Sequence, residues 1–358
     1  MSEFTALNIV VLAGGISHER DISMRSGRRV SDALTGLGHR VTIVDPDASL
    51  LGYLATERPD VIWPALHGAS GEDGALRSLL ATTGIPFVGS EGADAHLAWA
   101  KPTAKELVRR AGFATPNWIA LSKETFRDLG AVNVLANVVA ALGSELVVKP
   151  AEGGSAQGVT IVETAAALPR AMVDAFTYSD TALIEQRVVG TEVAVAVIDT
   201  GEGPIALPAV EIVPLSGVYS FEARYNAGET QFYAPARISP AVAEQVAQTA
   251  VAIHSLLGLR HISRVDLIVD GEGTPWFLEA NVLPGLTETS LVPLAIEASS
   301  QTLGDVYSAL AFAAINGGDT EERRTAGFAA DIADDVQVKP SGRAEPVEPV
   351  GPVGPTES

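Results

Sequence analysis

Cysteine is absent from the 358-residue chain, which excludes disulfide bonds, thiolate catalysis and zinc sites of the cysteine type. Lysine is scarce, with 5 lysines against 19 arginines, and the acidic excess gives a formal net charge of −20. Nucleic acids and anionic membranes attract proteins with an excess of Lys and Arg, so the negative net charge argues against both as partners. A small anionic ligand needs only a few well-placed cations and stays compatible with it.

Long apolar runs are also missing, since no segment approaches the roughly 18 uninterrupted apolar residues that can span a membrane. The N-terminus carries an acidic residue where a leader peptide needs basic ones, so we expect a cytoplasmic location. Hydrophobic residues make up 47% of the chain and charged residues 19%, an ordinary balance for a folded protein. The length allows two or three domains, as in many enzymes.

Strand and helix patterns alternate through the first hundred residues. An apolar strand with a Gly-rich turn is predicted over 8–15, and further strands are predicted over 40–45 and 60–66. Between them the spacing of apolar residues predicts a helix over 21–38. This alternation favours a small doubly wound, Rossmann-like α/β domain over residues 1–100.

Polar residues follow the first and third of these strands. Glu19 lies in GGISHERDIS after the first strand, and His67 and Glu72 lie in ALHGASGEDG after the third. Ligands of open α/β sheets bind beyond the carboxyl ends of the strands, so these loops are candidate ligand contacts. His67 could equally be a histidine at the edge of the core whose ring is satisfied by the backbone.

The remaining chain divides by pattern into two α+β units and a tail. We expect a central unit over 101–190 and a C-terminal unit over 191–318, the latter with a helix at 240–257. Residues 319–358 hold 9 acidic residues, 4 basic residues and 5 prolines, with few large apolar side chains. Such a segment cannot bury enough surface to offset its ordering entropy, so it is predicted to be a disordered tail.

Residues 264–281, RVDLIVDGEGTPWFLEAN, have the pattern of a β-hairpin. Closing its DGEGTP turn places Asp266 opposite the region that ends at Glu279, and Asn281 shares the face of Glu279. These oxygen donors suit Mg²⁺ with room for phosphate oxygens, and Arg264 would add a guanidinium on the same face. An ordinary strand face with scattered charges would give the same pattern.

A glycine-rich segment is the better candidate for phosphate binding, because the Walker A pattern is absent. In VVKPAEGGSAQG, Lys149 leaves an apolar strand, and the loop after it can close over phosphates through backbone amides. A surface lysine is the plainer alternative. Further on, LIEQRVVGTE places Glu185 to read an adenine edge and Glu192 to bind ribose hydroxyls, although a capped strand end would look the same.

The stretch FEARYNAGETQFYAPA (221–236) carries Arg224 and Tyr225 with few apolar anchors, which favours a mobile loop that acts as a lid. Taken together, the residues indicate an enzyme that uses Mg·ATP and has a cationic centre for a carboxylate substrate.

The ordered series of these motifs, together with FLEANVLPGLTETSLVP, resembles the D-alanine–D-alanine ligases of the ATP-grasp superfamily. The likeness runs from about residue 8 to 315. It implies a three-domain ATP-grasp fold of the α/β (α+β) class, with ATP between the central and C-terminal domains. It also implies two-step chemistry, in which one D-alanine becomes an acyl phosphate that a second D-alanine attacks. The resemblance further implies a homodimer and a role in peptidoglycan precursor synthesis.

The resemblance implies residues for the nucleotide and the metals. Two ions, Mg²⁺ or Mn²⁺, would be bound by Asp266, Glu279 and Asn281. Lys101 and Lys149 would hold the phosphates of ATP. The rest of the nucleotide would be contacted by a strand end and its connector: Glu185, Gln186, Val188 and Glu192.

It also implies residues for the amino acids. Glu19 would bind the ammonium of the first D-alanine, supported by Ser155 and Tyr225. Arg264 would stabilise the acyl phosphate and the developing oxyanion. Ser290 and the Leu291 amide would receive the second carboxylate. The substrate-binding set is completed by His67, Arg224 and Gly285.

Four departures from the family pattern bear on these expectations. Arg224 stands where Lys is usual, and the helix before Lys101 reads LAWAK where an Asp normally precedes the Lys, with Pro102 after it. Gln186 lies in an EQRV connector, and Val282 replaces a Thr. None removes a proposed catalytic group, so the alternatives concern the acceptor, which could be D-lactate, D-serine or another amino acid. A nucleotide-binding protein without turnover is a further alternative.

Overall fold

The computed structural model describes residues 5–226 and 228–317, apart from the side chain of Tyr225. The first sheet is parallel, in the order β2-β1-β3, and is built from β1 (Asn8–Leu12), β2 (Arg40–Val44) and β3 (Val61–Pro64). The helices of this region are α1 (Arg20–Gly36), α2 (Leu50–Glu57), α3 (Ala69–Glu72), α4 (Ala75–Ala81) and α5 (Gly92–Trp99). The predicted strands and first helix are therefore confirmed.

The second sheet has four antiparallel strands in the order β4-β7-β5-β6. Its strands are β4 (Trp118–Ser122), β5 (Leu146–Pro150), β6 (Thr160–Val162) and β7 (Thr181–Gln186). Its helices are α6 (Lys101–Arg110), α7 (Lys123–Leu129), α8 (Ala131–Leu142) and α9 (Leu168–Ala175), with a 3₁₀ turn at Ala165–Ala167. This sheet has its own apolar core, formed by residues such as Leu146, Val148 and Ile184.

The third sheet runs β11-β10-β8-β12-β13, with β9 paired to β8. Its strands are β8 (Thr191–Ile198), β9 (Ile205–Ala206), β10 (Val210–Pro214), β11 (Thr230–Tyr233), β12 (Ile262–Val269) and β13 (Pro275–Asn281). The helices are α10 (Phe221–Tyr225), α11 (Pro240–Leu256), α12 (Leu291–Ala298) and α13 (Leu303–Asn316). The predicted helix at 240–257 and the predicted hairpin are both present.

Two apolar cores join the first and third sheets. Alternate residues of β8 point to opposite faces, so Val193 and Val195 enter one core while Ala194 and Ala196 enter the other. The strands of the first sheet divide between the same two cores in the same way. Each fully buried Val contributes on the order of 1.5–3 kcal/mol, so this packing fixes β8 and its partner β12 firmly in place.

One local expectation is wrong. The sequence predicts a loop with few apolar anchors at 221–236, yet this stretch begins with α10 and continues into β11, which pairs with β10. Ala223 is buried in the core, and its carbonyl accepts a hydrogen bond of 2.6 Å from the Thr230 hydroxyl. Short local contacts of this kind give no periodic sequence signal, which is why the pattern missed them.

The predicted division at residues 100, 190 and 318 stays a prediction, and the predicted tail lies outside the described residues. Within the described part of the chain, no single helix is long and apolar enough to cross a membrane. The helix pair α7–α8 passes that test only when both helices are counted together, and it is bent by 111°.

Candidate active site

Glu19 lies where the loop after β1 enters α1, and its side chain is buried. The Ser155 hydroxyl, on the glycine-rich loop (residues 151–159), donates a hydrogen bond to it. Gly68 permits this packing, because a Cβ there would lie 2.8 Å from Glu19 Oε2. Burial raises the pKa of Glu19, although the Ser155 hydrogen bond and the Arg224 charge oppose the shift. A bound ammonium would compensate this buried carboxylate.

Glu72 is a second buried carboxyl at the same place. The Gly68 amide donates to its Oε1 over 2.9 Å. A Cβ on Gly154 would lie 3.6 Å from Glu19 Oε1 and 3.7 Å from Glu72 Oε2, so both carboxyls face one glycine of the glycine-rich loop. Burial, followed by repulsion from Glu19, raises the pKa of Glu72 to about 8. Glu72 therefore keeps its proton near neutral pH. The sequence placed it in a ligand loop without giving it a role.

His67 lies at the end of the loop after β3 and is also buried. Its Nε2 is 2.9 Å from the Ser26 hydroxyl, which accepts a 3.2 Å hydrogen bond from the Leu286 amide. Burial lowers the pKa of His67 to about 4 despite a backbone hydrogen bond at Leu283. A neutral imidazole in this network supports the segment 283–286, which favours the reading of a core-edge histidine. Its substrate contact remains a prediction.

The carboxylate hairpin (β12 and β13) has the register that the sequence predicts. Asp266 pairs with Glu279 and Arg264 pairs with Asn281, with a register shift just after Asp266. The Arg264 guanidinium donates to both oxygens of Asp266, at 2.7 and 2.8 Å, and the Asn281 amide donates to Asp266 over 3.1 Å. Burial opposes the charge of Arg264, but Asp266 raises its pKa above the ordinary value. The side chains of Arg264 and Asn281 thus both contact the Asp266 carboxylate.

The chemistry of this donor set fits a divalent cation. Burial alone would raise the pKa of Glu279, but Lys101 and Lys149 lower it to about 2, so the carboxylate is ionised. Asn281 donates its NH₂ to Asp266, which leaves its carbonyl oxygen as an acceptor. Among the described residues, no group of three or more His, Cys, Asp or Glu side chains could hold a metal. Any ion here therefore needs the Asn281 oxygen and oxygens from the nucleotide.

Lys101 is the first residue of α6 and connects the glycine-rich loop to the carboxylate hairpin. Its Nζ donates to the Gly153 carbonyl over 2.5 Å and lies 3.3 Å from Glu279 Oε2. Its backbone amide donates to the Ala151 carbonyl over 3.0 Å. Pro102 falls within the first turn of α6, where the missing amide proton has no intrahelical partner to lose. This departure from the family pattern leaves Lys101 in position.

Lys149 is the next-to-last residue of β5 and forms an ion pair with Glu185, the next-to-last residue of β7, with Nζ 2.6 Å from Oε1. A second lysine, Lys105 on α6, lies 2.9 Å from the other oxygen of Glu185. Burial opposes the charge of Glu185, yet the two lysines lower its pKa. The predicted adenine contact of Glu185 is untested. Nothing in the sequence pattern around Lys105 marks it as a site residue.

A cavity of about 170 Å³ lies beside these residues, between the glycine-rich loop and the carboxylate hairpin. It is lined by residues predicted to bind ATP: Lys101, Lys149, Glu185, Gln186, Val188 and Glu192. The Gln186 side chain is engaged elsewhere, since it accepts from Asn117 over 3.0 Å and donates to the Leu142 carbonyl over 3.1 Å. Burial raises the pKa of Glu192 to about 7.

Arg224 borders this cavity from α10 and stacks on Tyr219, with the guanidinium carbon 4.1 Å from the ring centre. Its buried Nε has no hydrogen-bond acceptor in the described part of the chain. The side chain therefore offers a donor to a ligand, as its predicted role requires. The side chain of Tyr225 lies outside the described residues, so its predicted role has no structural account.

Ser290 precedes α12, and Leu291 is the first residue of that helix. The Ser290 hydroxyl accepts from the Thr287 amide over 3.0 Å. Gly285 packs close by, because a Cβ there would lie 2.8 Å from Ser290 Oγ. The positive end of α12 is suited to a carboxylate, which is the predicted ligand of this loop.

Comparison with known proteins agrees with this arrangement. The family described as "D-ala D-ala ligase C-terminus" matches residues 107–310. The D-alanine–D-alanine ligase of Anaeromyxobacter dehalogenans (strain 2CP-1) is 40% identical over 82% of this chain and 92% of its own length. The enzyme of Gloeobacter violaceus is 41% identical over 82% of this chain and 94% of its own length.

Solved structures show the same likeness. Two crystal structures of the D-alanine–D-alanine ligase from Bacillus anthracis, one complexed with ATP, have TM-scores of 0.75 and 0.74. Each is 26% identical to this chain and is matched over 88% of this chain and 100% of its own. The fold and the site define an ATP-grasp enzyme. Within that class, the chain belongs to the D-alanine–D-alanine ligase family.

Proposed function

We propose that the protein joins two D-alanine molecules to D-alanyl-D-alanine, with ATP converted to ADP and phosphate, for peptidoglycan precursor synthesis in the cytoplasm. Family membership supports the reaction class. The observation that carries the proposal is the position of Lys101, which contacts Gly153 of the glycine-rich loop and Glu279 of the carboxylate hairpin. A phosphoryl group bound there lies between nucleotide and amino-acid sites.

In the first step, an oxygen of the first D-alanine carboxylate forms a bond to the γ-phosphorus while the bond from that phosphorus to the β,γ-bridging oxygen of ATP breaks. Glu19 binds the ammonium of this D-alanine. Ser155 orients the Glu19 carboxylate, and Tyr225 also supports this binding. Lys101 and Lys149 hold the phosphates in line for transfer. ADP and an acyl phosphate are the products.

In the second step, the ammonium of the second D-alanine loses a proton to solvent, and the amine forms a C–N bond to the acyl carbon as the carbonyl π bond breaks to give a tetrahedral intermediate. The bond from this carbon to the phosphate-bearing oxygen then breaks, so phosphate leaves with that oxygen and the nitrogen releases its second proton to solvent. Arg264 stabilises the negative oxygen of the tetrahedral intermediate through its fixed guanidinium. Ser290 and the Leu291 amide hold the carboxylate of the attacking D-alanine, with Gly285 and His67 shaping the pocket.

Asp266, Glu279 and Asn281 would hold two Mg²⁺ or Mn²⁺ ions, which when bound neutralise charge on the transferring phosphoryl group. Arg224 supplies a further cation from α10. Adenine is read along the Glu185–Val188 connector, where Gln186 contributes its backbone because its side chain is engaged elsewhere, and ribose is bound by Glu192. We also propose the three-domain division at residues 100, 190 and 318, and a homodimer, both supported by the family resemblance.

The test is ADP release by the purified protein with Mg·ATP, comparing D-alanine, L-alanine and D-alanine plus D-lactate, with product masses identified. Turnover with D-alanine alone that yields the dipeptide is the expected result. Turnover only with another amino acid would keep the reaction class and overturn the substrate. No turnover with any of them, despite ATP binding, would contradict the proposal.

A further inference from the structure

Lys105 is a buried lysine that no step of the proposed reaction uses. Its side chain is 0% exposed, and it does not line the nucleotide cavity. It lies one helical turn after Lys101 on α6, so the two lysines share a helix face. Burying an unpaired ammonium costs free energy, so the groups that Lys105 contacts indicate its role.

The first partner is Glu185, whose two carboxylate oxygens are divided between two lysines. Lys105 Nζ lies 2.9 Å from Oε2, and Lys149 Nζ lies 2.6 Å from Oε1. Lys149 and Glu185 both line the nucleotide cavity, whereas Lys105 lies behind them. The three charges therefore form a row that runs from the core to the cavity wall, with the carboxylate in the middle.

The second partner fixes Lys105 from the other side. Its Nζ donates to the Thr115 hydroxyl over 2.7 Å, and that hydroxyl donates to the Phe277 carbonyl over 2.8 Å. The Phe277 amide in turn donates to the Ala114 carbonyl over 2.8 Å. Phe277 lies on β13 two residues before Glu279, so the row is tied to the carboxylate hairpin as well as to the second sheet.

We propose that Lys105 is a positioning residue for nucleotide binding: it anchors the Glu185 carboxylate, which in turn holds the Lys149 ammonium at the wall of the nucleotide cavity. The inference rests on the proposed function in assigning this cavity to ATP. Replacing a whole buried ion pair by apolar residues often costs little stability, so packing alone does not require these charges. Lys105 adds a fixed orientation of the Lys149 ammonium.

The test is the affinity for ATP of Lys105→Met, measured by calorimetry without any amino acid. We expect ATP to bind at least roughly tenfold more weakly, because Lys149 loses its fixed direction, as expected for loss of a charge-assisted contact. The matched control is Lys123→Met, which removes a lysine from the start of α7 and should bind ATP like the wild type. Lys105→Arg keeps the charge and should recover part of the loss.

A double-mutant cycle separates positioning from simple destabilisation. If Lys105 acts through Glu185, the double variant Lys105→Met/Glu185→Gln should bind ATP no more weakly than Glu185→Gln alone. Additive losses, or ATP affinity of Lys105→Met within twofold of the wild type, would overturn the inference. Should Lys105→Met not fold, Thr115→Val removes the second anchor with little change in shape, and unchanged ATP binding by it would overturn the inference equally.

These readouts are independent of the amino-acid substrate. If the wild type binds ATP but makes no dipeptide from D-alanine, weaker binding by Lys105→Met still supports the positioning role while the proposed substrate fails. If the wild type does not bind ATP at all, both the inference and the proposed function fail.

Discussion

The two ends of the active site use buried carboxylates in opposite ways. At the amino-acid end, Glu19 and Glu72 both face Gly154 of the glycine-rich loop, and burial raises the pKa of both. At the nucleotide end, Glu185 is buried and Glu279 is partly buried, yet nearby lysines lower the pKa of both against the effect of burial. The pKa of a glutamate in this site is thus raised or lowered according to the charges of its neighbours.

The difference shows what each end is prepared to receive. The amino-acid end has an excess of buried carboxyl groups and gains by binding a cation such as an ammonium. The nucleotide end has lysines ready for phosphate and an ionised carboxylate ready for a metal ion. A reaction that joins an amino acid to a phosphoryl group needs both, placed side by side.

The largest expected effect comes from removing the charge of Glu279. We expect Glu279→Gln to lower kcat by at least roughly 10³-fold, about 4 kcal/mol, because the metal platform loses an anionic ligand. The measurement is steady-state turnover with saturating Mg·ATP. Glu272→Gln, in the exposed turn of the same hairpin, is the control and should be fully active. Near-normal activity of Glu279→Gln would contradict the metal assignment.

The second-largest expected effect concerns Glu19 at the amino-acid end of the site. We expect Glu19→Gln to raise the KM for the first D-alanine roughly 10- to 100-fold, because the ammonium loses a charged partner, while ATP binding stays unchanged. Asp21→Asn, two residues further along α1, is the matched control. Equal losses of affinity for D-alanine and for ATP would show that Glu19 does not act at the amino-acid end alone.

A smaller effect concerns Glu72 and pH. The folded protein holds the Glu72 proton up to about pH 8, whereas the unfolded chain releases it near its ordinary value of 4.5. The unfolded state therefore binds fewer protons in this window, and the stability of the wild type falls as pH rises through it, by up to about 1.4 kcal/mol per pH unit.

Glu72→Gln removes this titration while keeping an acceptor for the Gly68 amide. We expect its free energy of unfolding, relative to the wild type, to increase between about pH 5 and pH 8, as measured by urea denaturation. Asp73→Asn should show no such trend. A constant difference across this range would mean that Glu72 is already ionised in the folded protein.

The smallest expected effect is that of deleting residues 319–358, which include none of the proposed site residues. We expect turnover within about twofold of the full chain, because the composition of this segment offers little apolar surface to dock. Activity and solubility of the shortened chain are the measurements. A large loss in either would show that the segment contributes to folding or assembly.

The hairpin and the first sheet could be predicted because their signals are local. Alternation within 264–281 fixes which residues share a face, and the register of Asp266 with Glu279 follows from the turn. The loop of Glu19 was found by the rule for strand ends. Lys149, Glu185, Glu192 and Arg224 followed from the patterns of their own strands and loops, and the family resemblance added others such as Lys101 and Ser290.

Lys105 and Ser26 could not be predicted in this way. On α6 the sequence KPTAKELVRR gives no sign that one lysine is fully buried, since its partner Glu185 lies 80 residues away. Ser26 likewise meets His67 and Leu286 only after folding. Groups that act by supporting another group carry no motif, because their role is set by long-range packing.

The most direct test of the account is oxygen transfer between the two ends. D-alanine labelled with ¹⁸O in its carboxylate is incubated with the protein and Mg·ATP, and the released phosphate is analysed by mass. Our account predicts one ¹⁸O atom per phosphate formed, because the carboxylate oxygen attacks the γ-phosphorus and leaves with it. Dipeptide formation with unlabelled phosphate would contradict the acyl-phosphate mechanism.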